Sequence, residues 1–162
     1  IKYISDNDIS SYFVSPANGV SRHDENTLVI VVDTHNPDLV ESKELLARAQ
    51  QVVVIDHHRL MVKSIDNSVM FYHEPMASSA SEMVAELIEY FVSGIKIPAP
   101  VAEALMAGIM LDTKNFVMKT GVRTFEAAAF LRKMTECLWF FIAFSVKIKI
   151  IFVVGTNFSL VG

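Results

Sequence analysis

Two apolar runs in this sequence end in side chains able to hold a cation. Residues 27–32 (TLVIVV) lead into Asp33, and residues 52–55 (VVVI) lead into Asp56, His57 and His58. A third apolar stretch, 101–111, ends at Asp112. Oxygen and imidazole donors without thiolate suit Mn²⁺, Mg²⁺, Fe²⁺ or Zn²⁺ rather than a structural zinc site. Such clusters favour phosphoester hydrolysis, because two cations can clamp the attacking and leaving oxygens. Each residue also has a plainer reading. Asp33 and Asp56 could each cap a loop after a strand, and Asp112 could be a structural helix-end residue. Adjacent histidines after a buried strand are harder to explain that way, since their side chains must diverge. An acid at position 112 opposes the helix macrodipole, so something must compensate it, and a divalent cation would.

The elements that position these groups follow from periodicity. A continuous β-branched run at 27–32 fits a strand buried on both faces of a parallel sheet. The turn signal Thr34-His35-Asn36-Pro37 follows it. Residues 39–50 place Leu39, Leu45, Leu46 and Ala49 at mostly helical spacing, and the strand at 52–55 comes next. Strand, helix, strand within so short a span reads as a right-handed βαβ unit. It sets Asp33 and Asp56-His57-His58 at the carboxyl ends of neighbouring strands, where open parallel sheets bind ligands. Residues 69–72 form a third strand. Ser79-Ala80-Ser81-Glu82 is a capping-box pattern opening a helix with Met83, Val84, Leu87, Ile88 and Phe91 on its apolar face. Pro98 and Pro100 punctuate a loop before a helix at 101–111. A last helix covers 124–133, with Thr124 as its N-cap. The fold class is α/β, a parallel sheet built from βαβ units with flanking helices.

The chain has 162 residues, 52% hydrophobic and 20% charged, which suits one folded domain and excludes disorder. That domain is read at 1–133, with 134–162 an atypical apolar tail left unassigned. Net charge is -4, so DNA or another polyanion is not an expected partner, and a phosphate-bearing substrate would need local cations or metals. Cys137 is the single cysteine, which excludes an internal disulfide and agrees with a reducing compartment. Ile1 to Ser5 lack the charged start and following apolar stretch of a signal peptide, so none is expected within this sequence. Residues 138–154 are almost wholly apolar, but Lys147 and Lys149 interrupt them. The alternation at 146–150 favours a strand over a membrane helix.

Five segments carry a family resemblance. Ile55-Asp56-His57-His58-Arg59 resembles the signature of the DHH phosphoesterases, Val32-Asp33-Thr34-His35 their second acidic motif, and residues 108–116 (GIMLDTKNF) their fourth. Residues 74–83 (EPMASSASEM) and 120–125 (TGVRTF) resemble the GdpP-type cyclic-di-AMP phosphodiesterase branch in particular. The likeness covers roughly residues 1–133 and implies hydrolysis of cyclic di-AMP to linear pApA. It implies that Asp33 bridges two Mn²⁺ ions, with Mg²⁺ or Co²⁺ as alternatives. His57 would bind one ion, Asp112 would complete that ion's shell, His58 would approach the substrate phosphate, and Asp56 would orient a ligand.

Arg59 could hold phosphate oxygens or be a solvated surface arginine. Ser78 and Ser79 could do so through backbone N–H groups at the helix start, or serve in plain capping. His35 could lie beside a metal ligand or be a hydrogen-bonded turn residue, and His23 and His73 read as ordinary surface or loop residues.

The resemblance also sets what lies beyond this stretch. The family's first motif, of His-x-x-x-Asp-x-Asp type, is expected upstream of Ile1, and its second, nucleotide-binding domain has no counterpart after Lys133. Asp33, His57 and Asp112 are therefore expected to hold one divalent ion weakly, and the chain alone to be a poor catalyst. The parent is expected to be membrane-anchored with this part facing the cytoplasm, and self-association is left open. Two further readings stay in play. One is another DHH enzyme acting on pApA, short oligonucleotides or pyrophosphate. The other is a non-catalytic remnant whose apolar tail mediates assembly.

Overall fold

β-Branched residues crowd the chain at 28–32 and 51–56, and both segments fold as strands with most of their residues buried. A computed structural model of the chain describes residues 13–91, 97–134, 151–154 and 158–161, the last two as backbone alone. The chain divides into two compact units, residues 1–74 with 149–162, and residues 75–148.

The first unit contains α1 (Pro16–Arg22), β1 (Leu28–Val32), a 3₁₀ turn (Pro37–Leu39), α2 (Lys43–Arg48), β2 (Gln51–Asp56), β3 (Met70–His73), β4 (Ile151–Val154) and β5 (Phe158–Val161). The sheet order is β3-β2-β1-β4-β5. β1, β2 and β3 are parallel, with Val32 opposite Ile55 and Asp56 opposite His73. This is the α/β arrangement expected from the sequence. On the other side of β1 the sheet continues as an antiparallel ribbon, β4 against β1 and β5 against β4. The strand expected at 146–150 lies outside the described residues. Among the described residues, no helix is long and apolar enough to cross a membrane.

The crossover between β1 and β2 is shorter than its periodicity suggests. Instead of one helix over 39–50, a 3₁₀ turn ends at Leu39, which is 53% exposed, and α2 starts at Lys43. The side chain of Asn36 accepts the Asp38 N–H at 2.9 Å, and Ser42 Oγ accepts the Leu45 N–H at 3.3 Å. Two local caps thus split the segment. Leu45 and Leu46 still pack with Val29, Val31, Val52, Val54 and Ile65 as the core of this unit.

The second unit is three helices, α3 (Ala80–Phe91), α4 (Ala99–Asp112) and α5 (Val122–Met134), around Ala85, Leu105, Ile109, Phe130 and Leu131. Ser79 Oγ accepts the Glu82 N–H at 3.0 Å, as a capping box requires, but the Glu82 carboxylate turns to Ser78. α4 begins at Ala99, with Pro98 as N-cap and Pro100 in the first turn, where a missing N–H costs nothing. Thr124 is not the N-cap of α5. It lies inside the first turn, where its Oγ1 accepts the Gly121 N–H at 3.1 Å.

After α4 the chain reverses through Lys114, Asn115 and Phe116, three consecutive non-glycine residues at positive φ (49°, 59° and 64°). Such residues each cost about 1 kcal/mol or more, so something must hold the reversal. Thr113 does. It is fully buried, its hydroxyl donates to the Ile109 carbonyl at 2.7 Å, and the same oxygen accepts the Phe116 N–H at 2.9 Å. Thr113→Val keeps the shape and removes both bonds. It is expected to destabilise the chain by about 1–3 kcal/mol in urea unfolding, and Thr113→Ser to recover most of the loss.

Candidate metal centre

The parallel ladder runs one residue past the strands. The Asp33 N–H donates to the Ile55 carbonyl at 3.0 Å, and the Glu74 N–H donates to the Asp56 carbonyl at 3.1 Å. Asp33, Asp56-His57-His58 and His73 therefore stand side by side at the carboxyl edge of β1, β2 and β3. Asp33 adopts φ 66°, a left-handed conformation that aspartate tolerates better than most residues.

Ligand atoms of Asp33, His57 and His58 lie within 4.8 Å of one another. Asp33 Oδ1 is 3.4 Å from His57 Nε2 and 3.8 Å from His58 Nδ1. That oxygen is buried and receives no hydrogen bond among the described residues. Two metal–ligand bonds of about 2.1 Å at roughly tetrahedral or octahedral angles would span about 3.0–3.5 Å, so the Asp33–His57 separation fits a shared divalent cation. The donor set, one carboxylate and imidazole without thiolate, fits the hard-to-borderline ions read from the sequence.

Asp56 is fully buried between two other rings. Its Oδ2 accepts from His35 Nδ1, and its Oδ1 accepts from His58 Nδ1 at 2.7 Å and from the His58 N–H at 3.2 Å. Burial pushes the Asp56 carboxyl up, but the hydrogen bonds from His35 and His58 outweigh it and hold the group below the usual carboxylate range. The carboxylate is thus ionised at neutral pH. With its Nδ1 bonded to Asp56, His58 has Nε2 left on a side chain that is 54% exposed.

The remaining sequence candidates fall as follows. Arg59 is exposed and follows His58 directly. Ser78 and Ser79 are buried at the start of α3, where the Glu82 carboxylate accepts from both the hydroxyl and the backbone N–H of Ser78, and Ser79 Oγ accepts the Glu82 N–H, so their polar groups serve in capping. Asp112 is exposed at the end of α4 in the second unit. Two residues have a larger place than their sequence suggests. His35 is 1% exposed and bonded at both ring nitrogens. His73 donates from Nε2 to the His58 carbonyl at 2.6 Å, and its ring stacks on Phe71. The rule that picked out Asp33 and Asp56, a polar residue ending a parallel strand, applies equally to His73 at the end of β3.

The sheet and its edge define an α/β protein with an oxygen–imidazole cluster able to hold a cation. The chain belongs to the DHH family, since the model for "DHH family, N-terminal domain" matches residues 1–109. It is 47% identical over 125 residues to the cyclic-di-AMP phosphodiesterase GdpP of Geobacillus thermodenitrificans, covering 77% of this chain and 19% of that protein. It is 39% identical over 92 residues to a probable manganese-dependent inorganic pyrophosphatase of Thermotoga maritima, covering 57% of this chain and 16% of that protein. The chain thus spans less than a fifth of these relatives' length. An exopolyphosphatase-related protein from Bacteroides fragilis shares the fold, with a TM-score of 0.55 at 24% identity, over 66% of this chain and 32% of that one.

Proposed function

We propose that this chain is part of the catalytic domain of a metal-dependent phosphodiesterase that opens cyclic di-AMP to linear pApA. The observation that carries the reading is Asp33 Oδ1, a buried acceptor that receives no hydrogen bond among the described residues and lies beside two histidine rings at the carboxyl edge of the sheet. The likeness to a cyclic-di-AMP phosphodiesterase supports the choice of substrate.

On this reading Asp33 and His57 hold a divalent cation, and Asp112 is assigned to the same work by its motif. Such a cation supplies Lewis acidity toward a phosphoryl oxygen and brings the pKa of a water toward neutrality. Mn²⁺ is the ion proposed, on the donor set and on the manganese-dependent relative, with Mg²⁺ or Co²⁺ as substitutes. Asp56 orients His58, whose outer nitrogen meets a phosphate oxygen. Arg59, next in the chain, meets another. The parent polypeptide is anchored to the cell membrane with this segment on the cytoplasmic side, as the family branch it resembles implies.

The test is Mn²⁺-dependent hydrolysis of cyclic di-AMP by the parent polypeptide beside its Asp112→Ala variant, with products separated. Turnover to pApA that falls on the order of 10²-fold or more in the variant is the expected result. Cleavage of pyrophosphate or pApA alone would move the chain to another branch of the family. Nucleotide binding indifferent to metal would make it a non-catalytic module.

A further inference from the structure

We propose that His35 is a positioning residue of this site, one that fixes the ring of His58 through Asp56 and holds the segment after β2 in register. The assignment of a reaction rests on the function proposed above; the geometry does not.

Three bonds meet at His35. The Met61 N–H donates to its Nε2 at 2.9 Å, so that nitrogen carries the lone pair. In a neutral ring the proton is then on Nδ1, where it is donated to Asp56 Oδ2. The Ile65 N–H donates to the His35 carbonyl at 3.0 Å. One residue after β1 thus grips Asp56, Met61 and Ile65, which bracket His57, His58 and Arg59. The ring is wedged edge-on against Phe71 and His73 of β3, with centroids 6.1 Å and 5.9 Å away, and so has little room to turn.

The consequence for His58 is mechanical. Asp56 is fully buried, and its Oδ1 takes both the ring Nδ1–H and the backbone N–H of His58. A carboxylate held at one oxygen only can swing about its last torsion, which is soft. The donor from His35 at the second oxygen stops that swing. His58 therefore keeps one tautomer and one ring plane, with Nε2 outward. His73 fixes the same residue from its other side by donating to the His58 carbonyl.

Two substitutions separate the two ends of the ring. Asparagine places its amide nitrogen where Nδ1 stands, keeping the donor to Asp56 and losing the acceptor for Met61. Glutamine reaches the Nε2 position, keeping the bond to Met61 and losing the donor to Asp56. The readout is the ¹H–¹⁵N spectrum of the histidine rings in the full chain at neutral pH. In the wild type and in His35→Asn, His58 is expected as a single Nδ1–H tautomer. In His35→Gln, its signals are expected to shift toward a mixture.

Where the wild type hydrolyses cyclic di-AMP, His35→Gln is expected to lose about 10–100-fold in kcat with little change in KM, and His35→Asn to stay within about threefold. An unchanged His58 spectrum in His35→Gln would overturn the proposal. So would equal losses in both variants that track their melting temperatures. Failure of the wild type to cleave cyclic di-AMP would count against the proposed function, and the ring spectra would still decide the role of His35.

Discussion

On the proposed function, Asp33→Asn in the parent polypeptide is expected to lower metal-dependent hydrolysis by on the order of 10³ while leaving the fold within about 1 kcal/mol of the wild type. Among the described residues, the carboxylate is the anionic member of the cluster with His57 and His58, and its Oδ1 is a buried acceptor that receives no hydrogen bond. A metal–carboxylate bond is worth several kcal/mol at a phosphoryl transition state, and each roughly 1.4 kcal/mol is a factor of ten. The fold should survive because the backbone does not need the charge. Asparagine tolerates φ near 66°, and the bond from residue 33 N–H to the Ile55 carbonyl involves main chain alone. Asp33→Ala is the informative contrast, since it loses the same ligand and adds about 1–2 kcal/mol of left-handed strain. Mn²⁺ titration, hydrolysis rates and thermal melts on both variants separate the two effects. An asparagine variant that binds Mn²⁺ and turns over as the wild type does would remove Asp33 from the site.

Much of this edge is legible in the sequence, and the reasons are local. Apolar β-branched runs that end in Asp33 and Asp56 announce parallel strands, and a parallel ladder leaves little choice about where those residues stand. Asp33 and His57 are 3.4 Å apart because β1 and β2 are neighbours in register. What the sequence hides is set by distant partners or by single side chains. His35 looks like any turn histidine until Asp56 and Met61, 21 and 26 residues on, come to its two nitrogens. His73 looks like a loop residue until the register of β3 brings it opposite Asp56. The left-handed run at Lys114, Asn115 and Phe116 has no glycine to signal it, because Thr113 holds it from within the core. The crossover reads as one helix by its leucines, yet the Asn36 and Ser42 caps divide it. The antiparallel ribbon on β1 joins residues more than a hundred positions apart, and no local periodicity reports such a pairing.

Gly108→Ala is expected to destabilise the chain by about 1–3 kcal/mol, against the usual preference of helices for alanine. A methyl group at position 108 would lie 2.1 Å from Ser81 Oγ and 2.9 Å from Ser81 Cβ. The hydroxyl can rotate away, but the Cβ is fixed to the backbone of α3, so α3 and α4 must separate. Helix propensity returns about 1 kcal/mol, which the forced separation of two packed helices exceeds. The matching relief is Ser81→Gly, which removes both offending atoms. The double variant should recover most of the loss despite a second helical glycine, giving a coupling of at least about 1 kcal/mol in a four-variant urea-unfolding cycle. Additive effects, or a Gly108→Ala variant more stable than the wild type, would show that the two helices are not in hard contact there.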